Sequence, residues 1–280
     1  MPVADAALTG VSVLTLAINV PGPVAAARLA TLGADVHTVQ PPGGDPLALA
    51  CPSWYADLHA GMTVEQADLK SAQGRERVES LLASSDVLLV SSRPSALARL
   101  GLAPTAVSGR HPRLVMVGIV GEGGAGAERA GHDLTYVAEA GLLSPPELPR
   151  TLLADLAGAA EAVAAVLTGL LRRSRTGTGS FTEVSLAEAV ARLADPLRHG
   201  VSAPGGALGG GWPLYDLYPA GDGRWVAVAA LEEHFARRLL SGLGVASPDR
   251  AQLAAVLATR PADEWERWAA ERDLPLAAVR

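Results

Sequence analysis

The sequence predicts an α/β chain: a doubly wound parallel sheet with a second, smaller α+β domain. Three observations predict it. Apolar runs of strand length alternate with helical runs between residues 11 and 120, starting with a strand, Gly/Pro turn, helix, strand order. The strands at residues 86–90 and 114–120 are apolar on successive positions, the pattern of strands covered on both faces. A stretch rich in Gly, Ala and Pro at residues 200–211 then separates this region from a strand pair and a mostly helical remainder. Parallel strands need crossover connections, so repeated βαβ units read as an open, Rossmann-like sheet.

Each element has a local reason. Residues 11–16 are apolar and stop at Pro21-Gly22-Pro23; residues 24–32 form a helical run closed by Gly33, and residues 34–39 a second strand. Residues 75–83 read as helix, 86–90 as strand, 95–100 as a short helix and 114–120 as strand. Asp155 opens the longest helical run, at residues 156–173, whose late Arg172, Arg173 and Arg175 suit the negative end of a helix dipole and whose stop is Gly177. A further helix at residues 186–193 completes a large domain of residues 1–195. Residues 196–211 read as a linker and residues 212–280 as the small domain, in which residues 213–217 and 224–229 pair around Gly221-Asp222-Gly223.

Composition narrows function. Of 280 residues, 49% are hydrophobic but only 4% aromatic, so the core must be built from Ala, Leu and Val. Twenty-three basic against 29 acidic side chains give a net charge of -6 without any basic block, which speaks against nucleic-acid binding. Cys51 is the only cysteine, which excludes an intrachain disulfide and a cysteine metal cluster. No basic segment followed by an apolar run opens the chain, and charge, Gly or Pro interrupts the later apolar stretches, so the expectation is a cytoplasmic protein without targeting or membrane segments.

Several motifs occur together in a fixed order: Leu8-Thr9-Gly10 with Val13-Leu14, Pro21-Gly22-Pro23, Leu32-Gly33-Ala34-Asp35-Val36, Asp68-Leu69-Lys70, Gly74-Arg75, Ser92-Arg93-Pro94 and Arg99-Leu100-Gly101-Leu102. Gly131-His132-Asp133, Leu153-Ala154-Asp155, Thr176-Gly177-Thr178-Gly179 and Glu183-Val184-Ser185-Leu186 follow. The set resembles the family III CoA-transferases, a superfamily that includes formyl-CoA transferase, carnitine CoA-transferase and α-methylacyl-CoA racemase, across essentially the whole chain. Gly131-His132-Asp133, Trp212-Pro213-Leu214-Tyr215 and the segment from Ala230 to Phe235 resemble the racemase branch in particular.

The resemblance implies an enzyme acting on an acyl-CoA or other acyl thioester, with coenzyme A as part of the substrate and no metal or further cofactor required. It implies His132 and Asp155 as an acid/base pair on opposite sides of the α-carbon, with the start of the Asp155 helix offering amides to the enolate oxygen. It also implies Glu232 as an active-site glutamate supplied across a homodimer, and Arg93 as a contact to CoA phosphate or adenine, with Gly22 and Pro23 in a turn near the ligand. Under the transferase alternative, Asp155 instead attacks the donor thioester and forms a mixed anhydride; a third alternative is a divergent non-CoA enzyme or a non-catalytic accessory protein on the same fold. Taken without the resemblance, Asp155 reads as a helix N-cap, Glu232 as a solvated helix-start carboxylate, His132 as a surface or hydrogen-bonded histidine, Arg93 as half of an ion pair and Gly22 as a backbone requirement. Residues 58–66 stand where the family carries a basic CoA-binding stretch, Gln40 where it commonly has Glu, and relatives continue past residues 274–280 with a segment that interlocks the dimer. Loss of the basic stretch predicts weaker phosphate contacts.

Overall fold

The computed structural model describes residues 6–280, and the chain divides between Leu193 and Ala194 into two compact units. The first runs β1 (Ser12–Thr15), α1 (Pro21–Thr31), β2 (Asp35–Gln40), α2 (Pro46–Ala50), α3 (Pro52–Leu58), β3 (Thr63–Gln66), α4 (Ala72–Ser84), β4 (Val87–Val90), α5 (Pro94–Arg99), α6 (Pro104–Arg110), β5 (Val115–Val120), α7 (Asp133–Glu139), α8 (Leu153–Thr176), β6 (Ser180–Ser185) and α9 (Leu186–Leu193). Its six strands are parallel and lie in the order β3-β2-β1-β4-β5-β6. The order reverses between β1 and β4, as in a doubly wound sheet.

The continuous apolar strands are explained by two cores. Side chains alternate across a strand, so Val13, Val36, Val87, Leu89, Val115 and Val117 pack with α1, α7, α8 and α9. Leu14, Val39, Leu88, Val90 and Met116 point the other way and pack with α4, α5 and α6. Every residue of β4 and β5 is buried. The partly exposed β3 and β6 complete the sheet's two edges.

Helix α8 is longer than the sequence pattern suggested, taking in Leu153 to Asp155 at its start and reaching Thr176 before Gly177 caps it in the left-handed conformation at φ 74°. By length and composition alone it could cross a bilayer, in contrast to the interrupted apolar stretches expected. Its stripe of Ala154, Ala159, Ala162, Val163 and Val166 is buried in the core on the sheet, and those small side chains let a 24-residue helix close on β5 and β6.

The second unit contains α10 (Asp195–Arg198), β7 (Tyr215–Pro219), β8 (Trp225–Ala229), α11 (Glu233–Leu243), α12 (Arg250–Leu257), α13 (Ala262–Ala270) and β9 (Leu276–Ala278). The three strands form an antiparallel sheet in the order β7-β8-β9. One face buries Tyr218, Val226, Val228 and Leu276 against Leu239, Leu253 and Trp265; Leu217 and Trp225, on the other face, are exposed. Within residues 196–211 lies a Gly-rich turn closed by backbone bonds from Gly205 to Gly209 and from Leu208 to Val201.

Leu88, fully buried at the centre of β4, tests the two-sided sheet. Leu88→Ala is expected to cost about 2–5 kcal/mol, read as a lowered denaturant midpoint with an unchanged slope.

Candidate active site

Loops leaving adjacent strands β1 and β4 depart toward opposite faces of the sheet, which opens a crevice at the strands' carboxyl ends. A cavity of about 260 Å³ occupies it. Ile18, Asn19 and Pro21 line it from the end of β1, Ser91 and Arg93 from the end of β4, and Gly121 from the end of β5. Gly131, His132 and Tyr136 line it from the start of α7, and Asp155 from the first turn of α8. Across Ile18 lies a second, more apolar cavity of about 370 Å³, walled by Leu16, Val39, Leu97 and Leu100, with Asp68, Lys70 and Ser92 also among its lining residues.

His132 and Asp155, 23 positions apart in the sequence, therefore face one space. What joins them is Asp133. Its buried carboxylate accepts backbone N–H bonds from Ala154 (2.7 Å) and Asp155 (3.0 Å) through the same Oδ1. The α8 N-terminus is thus capped from another helix. Asp155 is the third residue of α8 and not its N-cap, and two of the amides at the start of this helix, those of Ala154 and Asp155, are already engaged. The backbone of His132 is fixed by Thr135, whose hydroxyl accepts from the His132 N–H (3.1 Å).

Burial and, after it, the charge of Asp133 push the Asp155 carboxyl up to about 6, while His132 pulls it down. A carboxyl in that range is available both as base and as acid near neutral pH.

Tyr136, Arg129 and Asn19 also line the cavity, and the sequence reading did not single them out. Tyr136 is buried, and its phenol pKa is raised by burial and by Glu122, Asp155 and Glu139. Its hydroxyl lies so close to two glycine backbones that a Cβ on Gly131 would fall 2.4 Å from it, and one on Gly121 closer still. Arg129 is paired with Glu122 at 2.8 Å. A polar or aromatic residue in an irregular loop carries no periodic pattern, and Tyr136 resembles an ordinary core residue of α7.

Arg93 is exposed, and the neighbouring Ser92 lines the second cavity, so the arginine sits at the junction of the two. Gly22 and Pro23 are buried within α1. A Cβ on Gly22 would come 2.5 Å from that of Ala17, so this glycine serves the close return of the chain onto β1. Glu232 lies in the second unit, exposed, as the residue preceding α11. Among the described residues no cluster of His, Cys, Asp or Glu suited to a metal ion occurs.

The family model for "CoA-transferase family III" matches residues 8–280. The chain is similar to the "Alpha-methylacyl-CoA racemase" of Homo sapiens, with 35% identity over 87% of this chain and 66% of that protein. It is also similar to the "Succinyl-CoA--L-malate CoA-transferase alpha subunit" of Chloroflexus aurantiacus, with 28% identity over 86% of this chain and 63% of that one. The chain thus spans about two thirds of the length of these curated relatives. Among solved structures it resembles the Rv3272 protein of Mycobacterium tuberculosis, with a TM-score of 0.84 and 26% identity over 99% of this chain and 85% of the other.

The raised Asp155 carboxyl has a consequence for stability. Because its folded value lies above the ordinary 3.8, the folded chain keeps a proton that the unfolded chain has released, and stability falls as pH rises from about 4 through 6. A shift of about two units corresponds to at most about 3 kcal/mol above that window. Asp155→Asn is expected to be more stable than wild type at pH 8 and equal to it near pH 3, measured by urea unfolding at both. Asp133→Asn, which removes the neighbouring charge, is expected to lower the Asp155 carboxyl value in a carbon-13 NMR titration.

Proposed function

The chain belongs to CoA-transferase family III, and on that premise we propose that it is an acyl-CoA racemase or epimerase that moves the α-proton of a 2-substituted acyl thioester. The observation carrying this reading is that His132 and Asp155 line one cavity. A hydrogen next to a thioester carbonyl is weakly acidic, so it leaves only to a positioned base while charge moves onto the carbonyl oxygen. In one direction Asp155 takes the proton and forms the enolate, and a protonated His132 returns a proton to the opposite face of the carbon. In the other direction the roles exchange. Asp155, with its carboxyl near 6, suits both.

The second cavity supports coenzyme A as the carrier. Its apolar walls suit an adenine ring, and Lys70 with Arg93 at the junction offers cations to phosphate. Ile18 lines both cavities, so a pantetheine arm passing it would bring the thioester to Asp155 while the nucleotide stays in the second cavity. Glu232 is proposed to act in the site of a partner subunit within a homodimer.

The transferase reading uses the same Asp155. Its carboxylate attacks the donor thioester carbonyl, the C–S bond breaks, CoA leaves as the thiolate, and the acyl group stays as an aspartyl anhydride for an acceptor acid.

The two are separated by incubation in deuterium oxide with a panel of 2-methylacyl-CoA esters. The racemase reading expects deuterium at the α-carbon, with Asp155→Asn and His132→Ala each slowing exchange by about 10²–10⁴-fold. Absence of exchange together with a hydroxylamine-sensitive acyl-enzyme and ping-pong transfer replaces it with the transferase reading.

A further inference from the structure

Residues 121–132 carry the chain from the end of β5 to the start of α7 and end on His132. Five of these twelve residues are glycine, so the backbone restrains itself poorly and needs outside contacts to keep one course. That course shapes the site: Gly121, Ala127, Arg129, Ala130 and Gly131 line the cavity that His132 and Asp155 face.

The segment is held from two sides. Toward β6 and α9, the Gly121 carbonyl accepts the Ala187 N–H (2.9 Å) and the Gly124 N–H donates to Glu183 Oε1 (2.8 Å). Arg129 pairs with Glu122 inside the segment and, at 3.8 Å, with Glu139 of α7. Toward α5 the hold is Glu128. Its Oε1 accepts the Ser95 N–H (2.7 Å) and its Oε2 the Ser95 hydroxyl (2.9 Å), across 33 positions. Ser95 belongs to the first turn of α5, and Arg93, which precedes that helix, lines the same cavity. Both oxygens of an exposed carboxylate are thus spent on one residue of the neighbouring wall. The Ser95 bonds and, after them, Arg93 and Arg99 hold this carboxyl below its usual range, so it is ionised at neutral pH.

Asp133 anchors the chain one residue after His132, and Glu128 anchors it four residues before. Without Glu128, the next hydrogen bond to another element on the N-terminal side, among the described residues, is that of Gly124. The exposed Arg129 pairs add little restraint.

We propose that Glu128 is a positioning residue for His132: its clip on Ser95 holds the cavity wall of residues 127–131 against the start of α5, and with that wall the imidazole. The proposal rests on the reading of His132 as a proton-transfer group. Glu128 does not itself line the cavity and acts through the backbone.

The test follows α-deuterium exchange of 2-methyldecanoyl-CoA by the full chain. Amide hydrogen exchange over residues 125–131 and the carbon-13 resonance of the His132 imidazole are measured in parallel. Glu128→Ala is expected to lower kcat by about 10- to 100-fold with little change in KM. It is also expected to speed amide exchange over residues 125–131 about tenfold or more, and to shift the His132 resonance. Glu128→Gln, whose carboxamide oxygen still accepts the Ser95 N–H, is expected to restore all three. Ser95→Ala is expected to fall between wild type and Glu128→Ala, and the double variant should be no slower than Glu128→Ala alone. A wild-type kcat in Glu128→Ala, a Glu128→Gln variant as slow as Glu128→Ala, or additive losses in the double variant overturn the proposal. Should Glu128→Ala fail to fold, Glu128→Asp decides, since it keeps the charge and shortens the reach: lower kcat with faster amide exchange supports the clip, and wild-type values for both overturn it. A wild-type chain inert toward the ester removes the racemase reading instead. The imidazole resonance, which needs no substrate, then decides the proposal: a shift in Glu128→Ala that Glu128→Gln reverses supports it, and an unmoved resonance overturns it.

Discussion

One oxygen atom of Asp133, accepting two N–H bonds from the first turn of α8, ties the start of α7 to the start of α8 at the cavity. Because His132 directly precedes Asp133, anchoring the carboxylate on α8 fixes the imidazole-bearing loop relative to Asp155. Burial first, and then the same negative charge, raise the carboxyl of the neighbouring Asp155 to about 6. Asp133 thus contributes to the placement of Asp155 and, after burial, to its proton affinity. The same bonds occupy the N–H groups of Ala154 and Asp155 in the first turn of the helix.

The sheet determines where such an arrangement can stand. Reversal of strand order between β1 and β4 sends successive connections to opposite faces, and only there do loops part without a helix filling the gap. An interior poor in aromatics fits this plan. Alanines and valines along α8 bring that helix close to the sheet, and its N-terminus consequently arrives at the crevice and not beyond it. Packing of the long helix and placement of Asp155 are one geometric fact.

Much of this was legible in the sequence, for definite reasons. Strands β4 and β5 are covered on both sides and so read as unbroken apolar runs; α9 has a clear amphipathic period and was bounded correctly. Strands β3 and β6 are edge strands with partly exposed residues, and no two-sided burial marks them. Among site residues, His132, Asp155 and Arg93 were reached through motifs and do line the cavity. Gly22 and Pro23 were reached in the same way and prove to be packed inside α1. Asp133 was visible as part of a motif, but its capping role was not, since a cap that reaches across 21 positions leaves no local pattern. Asp155 consequently looked like a cap itself. Glu128 and Ser95 are joined only in three dimensions.

The Tyr136 hydroxyl, lodged against the backbones of Gly121 and Gly131, restricts how this wall can diverge. Any larger residue at either glycine must evict the phenol, whereas shortening the tyrosine leaves a gap that neither glycine can fill alone. Enlarging either glycine is therefore tied to losing the phenol, so the three positions on this wall are coupled in what they tolerate.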